Sequence, residues 1–252
     1  MNVNDLINTL DLPMSSRVDK SVPKKLLLDN GAPTAADKRY INDGIEDLIM
    51  LAVLKPTTIG VPVYCDACRE YLEIFVLHLS LRSGAKTTRL LELVHRAIPY
   101  PVLLLTGQEV QVSVSAAHKR RSQGETGKTV LDGEIIVVDC NAELDEKHWS
   151  AFHKALQLGR QPRTTLYALY QGWIDTLLTL HATKITDTFE LPVNAGHSAE
   201  RREALKECTR LNTEITGLRA AAAKEKQVAR QVKLNLELKR VEAQLITARR
   251  IL

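Results

Sequence analysis

YLEIFVLHLSLRSGAKTTRLLELVHRAIPYPVLLLTGQEVQVSVSA (71–116) carries the signals that decide the fold. Residues 71–81 are dense in β-branched and aromatic side chains and alternate in part, the pattern of a strand with one face in a core. Residues 83–99 then place Leu90, Leu91, Val94 and Ile98 on one side of a helix. PVLLLTG (101–107) is a continuous apolar run, as expected of a strand covered on both faces. EVQVSVSA (109–116) alternates cleanly, so Thr106-Gly107-Gln108 reads as the corner of a hairpin.

Downstream of this stretch, EIIVVDC (134–140) supplies another strand, and DEKHWSAFHKAL (145–156) a helix. TTLYALYQGWIDTLLTLHATKI (164–185) predicts a longer helix, with Leu166, Leu169, Tyr170, Trp173, Ile174, Leu177, Leu178 and His181 on a wide apolar face. Upstream, Tyr40, Ile41, Ile45, Leu48, Ile49 and Ala52 recur at three- and four-residue steps and predict a helix from Thr34 to Val53, capped by Thr34 or Asp37 and ended by Lys55-Pro56. Asp29 to Pro33 reads as a turn. The expectation is an α/β domain over residues 1–185, its mixed sheet covered by helices. TDTFELPVNAGH (186–197) has a proline, a glycine and no periodicity, and reads as a linker.

From 198 to 252 the pattern changes to heptads. Ala204, Cys208, Leu211, Ile215, Leu218 and Ala222 step by four and three, as do Leu234, Leu238, Val241, Leu245, Ala248 and Leu252. The step of 12 from Ala222 to Leu234 shifts the seam out of phase. This segment is one long helix, or an antiparallel pair folded back near Gly217 to Ala223. Such a seam needs a covering surface from the same chain, a second copy or another protein, so Leu211, Ile215, Leu218, Leu234, Leu238, Val241 and Leu245 are the expected partner-binding residues.

The bulk numbers set limits. With 252 residues, 44% hydrophobic and 25% charged, the chain is far from a disordered composition. No stretch is apolar enough to cross a bilayer, and MNVNDLINTLDLPMSS lacks the layout of a signal peptide, which predicts a cytoplasmic protein without membrane contact. Four cysteines (Cys65, Cys68, Cys140, Cys208) do not make a disulfide framework. The net charge of +4 is uneven: residues 198–252 hold 13 Lys and Arg against 7 Glu, which leaves the remainder slightly acidic. A basic stripe either solvates a helix face or meets a phosphate-bearing partner.

Motifs with chemical meaning are few. Cys65-Asp-Ala-Cys68 lacks the second pair that a structural zinc wants, and it precedes a strand rather than a helix N-terminus, so ordinary thiols are expected. Ser122-Gln-Gly-Glu-Thr-Gly-Lys128-Thr129 superficially resembles a phosphate loop, but serine stands where the motif needs glycine, and TVLDGEIIVVD (129–139) reads as strand where the motif needs a helix. His118, Lys119, Arg120 and Arg121, with Lys128, form a basic cluster beside the sheet. They are the candidate nucleic-acid contacts through phosphate oxygens, or charged gatekeepers of a sheet edge. A metal-dependent nuclease would need carboxylates on adjacent strands, and the acidic-x-Lys Glu237-Leu-Lys239 lies in the heptads. No catalytic residue, metal ligand set or cofactor is assigned.

VPKKLLLDN (22–30), KPTTIGVPV (55–63), YLEIFVLHLSL, LELVHRAIPYPVLLL (91–105) and the strand entering AHKRR together resemble the bacterial family of domains of unknown function numbered 4391, with Ala97-Ile98-Pro99-Tyr100-Pro101 the most specific piece. The resemblance covers residues 5 to 190 and extends more loosely into the C-terminal helix. It implies a setting beside helicases and DNA methyltransferases in restriction-like or phage-defence gene clusters, and brings no catalytic residues. The expected function is a non-enzymatic accessory subunit of such an assembly, docking a helicase-type partner, contacting DNA phosphates, and open to homo-oligomerisation through the C-terminal helix. The alternative is a nuclease-like enzyme, in which Glu70, Glu73, Asp132, Glu134 and Asp139 would converge on a metal.

Overall fold

The computed structural model describes residues 2–125, 127–141 and 143–252. Its helices are α1 (Val3–Thr9), α2 (Lys24–Gly31), α3 (Ala35–Gly44), α4 (Pro56–Ile59), α5 (Thr87–Ala97), α6 (Glu146–Leu156), α7 (Leu166–Thr186), α8 (Ala195–Lys224) and α9 (Val228–Arg249). Its strands are β1 (Arg17–Ser21), β2 (Ile45–Leu54), β3 (Tyr64–Cys65), β4 (Glu70–Tyr71), β5 (Ile74–Leu81), β6 (Val102–Gln108), β7 (Gln111–Ala116), β8 (Lys119–Arg121), β9 (Thr129–Leu131) and β10 (Ile136–Asp139). The chain is therefore a mixed α/β protein ending in two long helices. Its two compact units are Met1–Leu177 and Leu178–Leu252. Among the described residues no helix is long and apolar enough to cross a membrane.

The first unit is organised by a six-stranded sheet in the order β1-β2-β5-β6-β7-β10. β5 and β6 are parallel, joined by α5, and every other neighbouring pair is antiparallel. The continuous apolar run of β6 is explained by this central place, where Val102 to Leu105 are fully buried. α5 packs Leu90, Leu91, Leu93, Val94 and Ala97 into the same core as Ile45, Leu77 and Leu104. The turn between β6 and β7 falls two residues beyond the expected corner, at Glu109-Val110, where Glu109 takes a left-handed φ of 54°.

One expected element is overturned. The helix predicted from Thr34 to Val53 ends at Gly44, and Ile45–Leu54 is β2, paired on both sides by β1 and β5. The apolar residues of 45–54 satisfy a helical and a strand period equally well, and sequence-distant ladder partners decide between them. Gly44, the last residue of α3, packs close to α5 and the segment before it: a Cβ there would stand 2.8 Å from Leu90 Cδ1 and 3.2 Å from Ala85 Cβ. Thr34 is the cap, its hydroxyl accepting from the Asp37 amide at 3.1 Å.

Tyr170 of α7 fastens that helix to the sheet where β6 and β7 separate. Its hydroxyl donates to the Val102 carbonyl at 2.7 Å and accepts from the Ala117 amide at 2.9 Å. Trp173 is equally buried and donates from its indole to the Leu156 carbonyl at 2.9 Å.

The second unit settles the alternatives left by the heptads. The chain breaks at Glu225 to Gln227, and α8 and α9 pack as an antiparallel hairpin. Arg219 pairs with Glu242 at 2.8 Å, and Gln231 donates to the Ala222 carbonyl. Cys208, Leu211, Ile215, Val241, Leu245 and Ala248 form its core, with Leu218 and Leu238 at the margin. Four expected partner-binding residues, Leu211, Ile215, Val241 and Leu245, are thus covered by their own chain, and Leu234 is half-buried. The seam is taken up by the hairpin, which corrects its assignment as a surface for a partner.

Candidate functional site

β8 and β9 form a short hairpin in which Lys119 pairs with Leu131, Arg120 with Val130 and Arg121 with Thr129. The basic cluster sits on it, and the structure separates its members.

His118 and Lys119 face inward and are corrected from exposed contacts to buried supports. Nε2 of His118 lies 2.8 Å from Gln171 Oε1, and Nδ1 lies 2.5 Å from the Tyr71 hydroxyl. The Gln171 amide is oriented by its donation to Asp175 at 2.8 Å, so its oxygen faces His118 and Nε2 donates to it. It stacks on Tyr167, which also stacks on Tyr64 and lies under the Arg69 guanidinium. The Lys119 ammonium donates to the carbonyls of His95 and, at 2.8 Å, Ile98, where α5 ends. A cation at these orphan carbonyls satisfies the helix C-terminus and its dipole. Burial nevertheless pushes the ammonium down to about 7. His95, fully buried beside the Ser115 hydroxyl at 2.9 Å, is pushed down to about 3 by burial and by the Lys119 charge.

Arg121 turns to the Cys65–Cys68 hairpin. Its guanidinium reaches Glu70 and Cys65 Sγ, each at 3.3 Å, and its amide donates to the Cys68 carbonyl at 2.7 Å. Asp66 holds that turn by accepting from the amides of Cys68 and Arg69. Both thiols are exposed, and among the described residues they join no group of three metal-ligating side chains.

Arg120 and Lys128 remain on the surface, and a third cation joins them. With Arg96 from the last turn of α5 they line a cleft of about 690 Å³, closed by Asp29 to Pro33 and by residues 122–124 and 129–131. Arg96 pairs with Glu92 at 2.7 Å and Lys128 with Glu125 at 2.9 Å, while Arg120 is 3.9 Å from Asp132, a carboxylate already engaged by Arg69 at 2.7 Å. Such exposed pairs are weak, about 0–1 kcal/mol each, and a ligand anion displaces them at little cost. The glycine-containing loop is no phosphate loop: it joins two strands, and the amides of Gly124 and Glu125 are taken by Ser122 Oγ at 3.3 and 3.2 Å. Thr126 of that motif lies outside the described residues.

The acidic residues considered for a nuclease are engaged elsewhere or stand apart. Glu70 meets Arg121, and Asp132 meets Arg69 and Arg120. Among the described residues, none of Glu70, Glu73, Asp132, Glu134 and Asp139 joins a three-ligand group.

A family model matches most of the chain. The profile described as Domain of unknown function (DUF4391) matches residues 10–245. The chain belongs to this family. The match takes in the whole sheet, the Arg96–Arg120–Lys128 cleft and nearly all of the hairpin, so the DUF4391 domain here includes α8 and most of α9. Comparison with curated proteins and with solved structures finds no significant match.

Proposed function

We propose that this DUF4391 chain is a non-enzymatic accessory subunit of a bacterial DNA-processing, anti-phage assembly, and that it holds a nucleic-acid backbone at its cleft while a helicase-type partner does the chemical work. The observation that carries the reading is the meeting of Arg96 from α5 with Arg120 and Lys128 from the β8–β9 hairpin on one concavity. Its volume of about 690 Å³ falls within the range of ligand sites, roughly 300–1,000 Å³, and accepts a nucleotide-sized segment. Arginine guanidinium groups grip phosphate oxygens bidentately, whereas the lysine acts as a point charge. Such contacts read charge and spacing rather than base sequence.

The test is the salt dependence of duplex binding by fluorescence anisotropy. Each neutralised phosphate adds about 0.9 to the slope of log K against log salt, so Arg96→Ala, Arg120→Ala and Lys128→Ala together should lower it by about 2–3. A slope identical in wild type and triple variant would overturn the reading.

A further inference from the structure

α9 carries a second apolar seam on the side away from α8. Val232, Leu236, Lys239, Ala243, Ile246 and Arg250 step by four, three, four, three and four, with Val228 one step earlier. Val232 is 52% exposed, Leu236 64% and Ile246 56%, against 7% or less for the inner residues Val241 and Leu245. A heptad seam left open on an otherwise packed hairpin is a knobs-into-holes surface lacking its second helix.

Charge identifies what fits. Both glutamates of α9 are already engaged, Glu237 by Arg240 and Glu242 by Arg219. Lys239 stands in the seam, exposed and with no ion pair among the described residues, and Lys233 lies beside it. A second copy of the chain is a poor occupant. Parallel pairing in register sets Lys239 against Lys239, and antiparallel pairing, in which residue 232 faces 250, 236 faces 246 and 239 faces 243, covers Lys239 and Arg250 with Ala243 and Val232 and gives neither cation a carboxylate. A carboxylate opposite Lys239 turns that penalty into an attraction.

We propose that the outer face of α9 docks an acidic amphipathic helix of a partner protein, selected by a carboxylate facing Lys239. This rests on the reading of the chain as a subunit that docks a partner but not on its cleft, so peptide binding and DNA binding fail independently.

The experiment uses the full chain and a labelled synthetic peptide of about three heptads, with leucine at the seam positions and glutamate facing Lys239 and at the flanks. A companion peptide carries lysine in place of each glutamate. The acidic peptide should bind at least about tenfold tighter than the basic one. L236D with I246D should abolish that binding while leaving the helical circular dichroism of the hairpin intact, because both positions are exposed. K239E should invert the preference. Equal binding of the two peptides, or binding of neither, overturns the proposal. So does sedimentation showing wild-type self-association that L236D with I246D removes, since a second copy would then be the occupant.

Discussion

The sheet unit and the hairpin bury apolar residues by different means. In the sheet, Leu77 of β5 and Leu104 of β6 lie in one core with Ile45 and with Leu90 and Val94 of α5, so each contact joins segments distant in sequence. In the hairpin, six buried residues meet across two helices joined by three residues, Glu225 to Gln227. Charge differs too. The sheet unit encloses an ammonium and an imidazole, Lys119 and His95; α8 buries one guanidinium, Arg201, near its start, where it donates to the Thr179 hydroxyl and the Glu190 carbonyl, while Arg210 with Glu207 and Arg219 with Glu242 pair at the surface of the two helices. A core of distant contacts fails as a whole and can hold ionisable groups away from water, while a local hairpin can fray by itself.

The largest effect expected from this contrast is on the sheet. Leu104→Ala should cost about 3–5 kcal/mol, in the upper part of the range for buried leucine, because both faces of β6 are covered and the cavity cannot collapse. Both tryptophans, Trp149 and Trp173, lie in the first unit, so their fluorescence in a urea titration reports it. Ile215→Ala in the hairpin should cost about 2–3 kcal/mol, since a two-helix core closes more easily over a lost side chain. It should shift the helical circular dichroism transition more than the tryptophan transition. Coincident shifts would show that the hairpin does not fray alone.

The buried ionisable groups sharpen the comparison through pH. Lys119 titrates near 7 in the folded protein and near 10.5 unfolded, so between those values the unfolded chain binds more protons and stability rises with pH. The slope from this group approaches about 1.4 kcal/mol per pH unit, and Lys119→Met should remove it. His95 acts at the acid end. Its folded value near 3 lies below the usual 6.5, so stability present above 6.5 is lost as pH falls toward 3. Both effects should appear in the tryptophan transition. Smallest of all, Arg219→Ala breaks an exposed cross-hairpin ion pair and should change stability by less than about 0.5 kcal/mol.

Residues 71–116 were legible because their periods are unambiguous: β5, α5, β6 and β7 stand where alternation and helical spacing put them. β2 was not, since Ile45, Leu48, Ile49 and Ala52 also fit a helix and only pairing with β1 and β5 excludes it. The site divides the same way. Arg120 and Lys128 behave as a basic run suggests, but the burial of Lys119 depends on carbonyls of residues 95 and 98, which no local pattern announces. Arg96 was missed for the same reason: it reads as an ordinary last-turn cation until α2, α5 and β8 are seen around one cleft. The outer seam of α9 was hidden by the inner one, because two heptad registers overlap in the same residues.

The Tyr170 hydroxyl, placed between Val102 and Ala117, makes one backbone amide a timekeeper for the fold. Ala117 sits just past β7, where no strand takes its proton, and only a side chain of α7 does so. In heavy water that proton waits on the departure of a helix rather than on the opening of a ladder. Its exchange rate therefore measures how often α7 lifts from the sheet, an event the neighbouring β7 amides do not record.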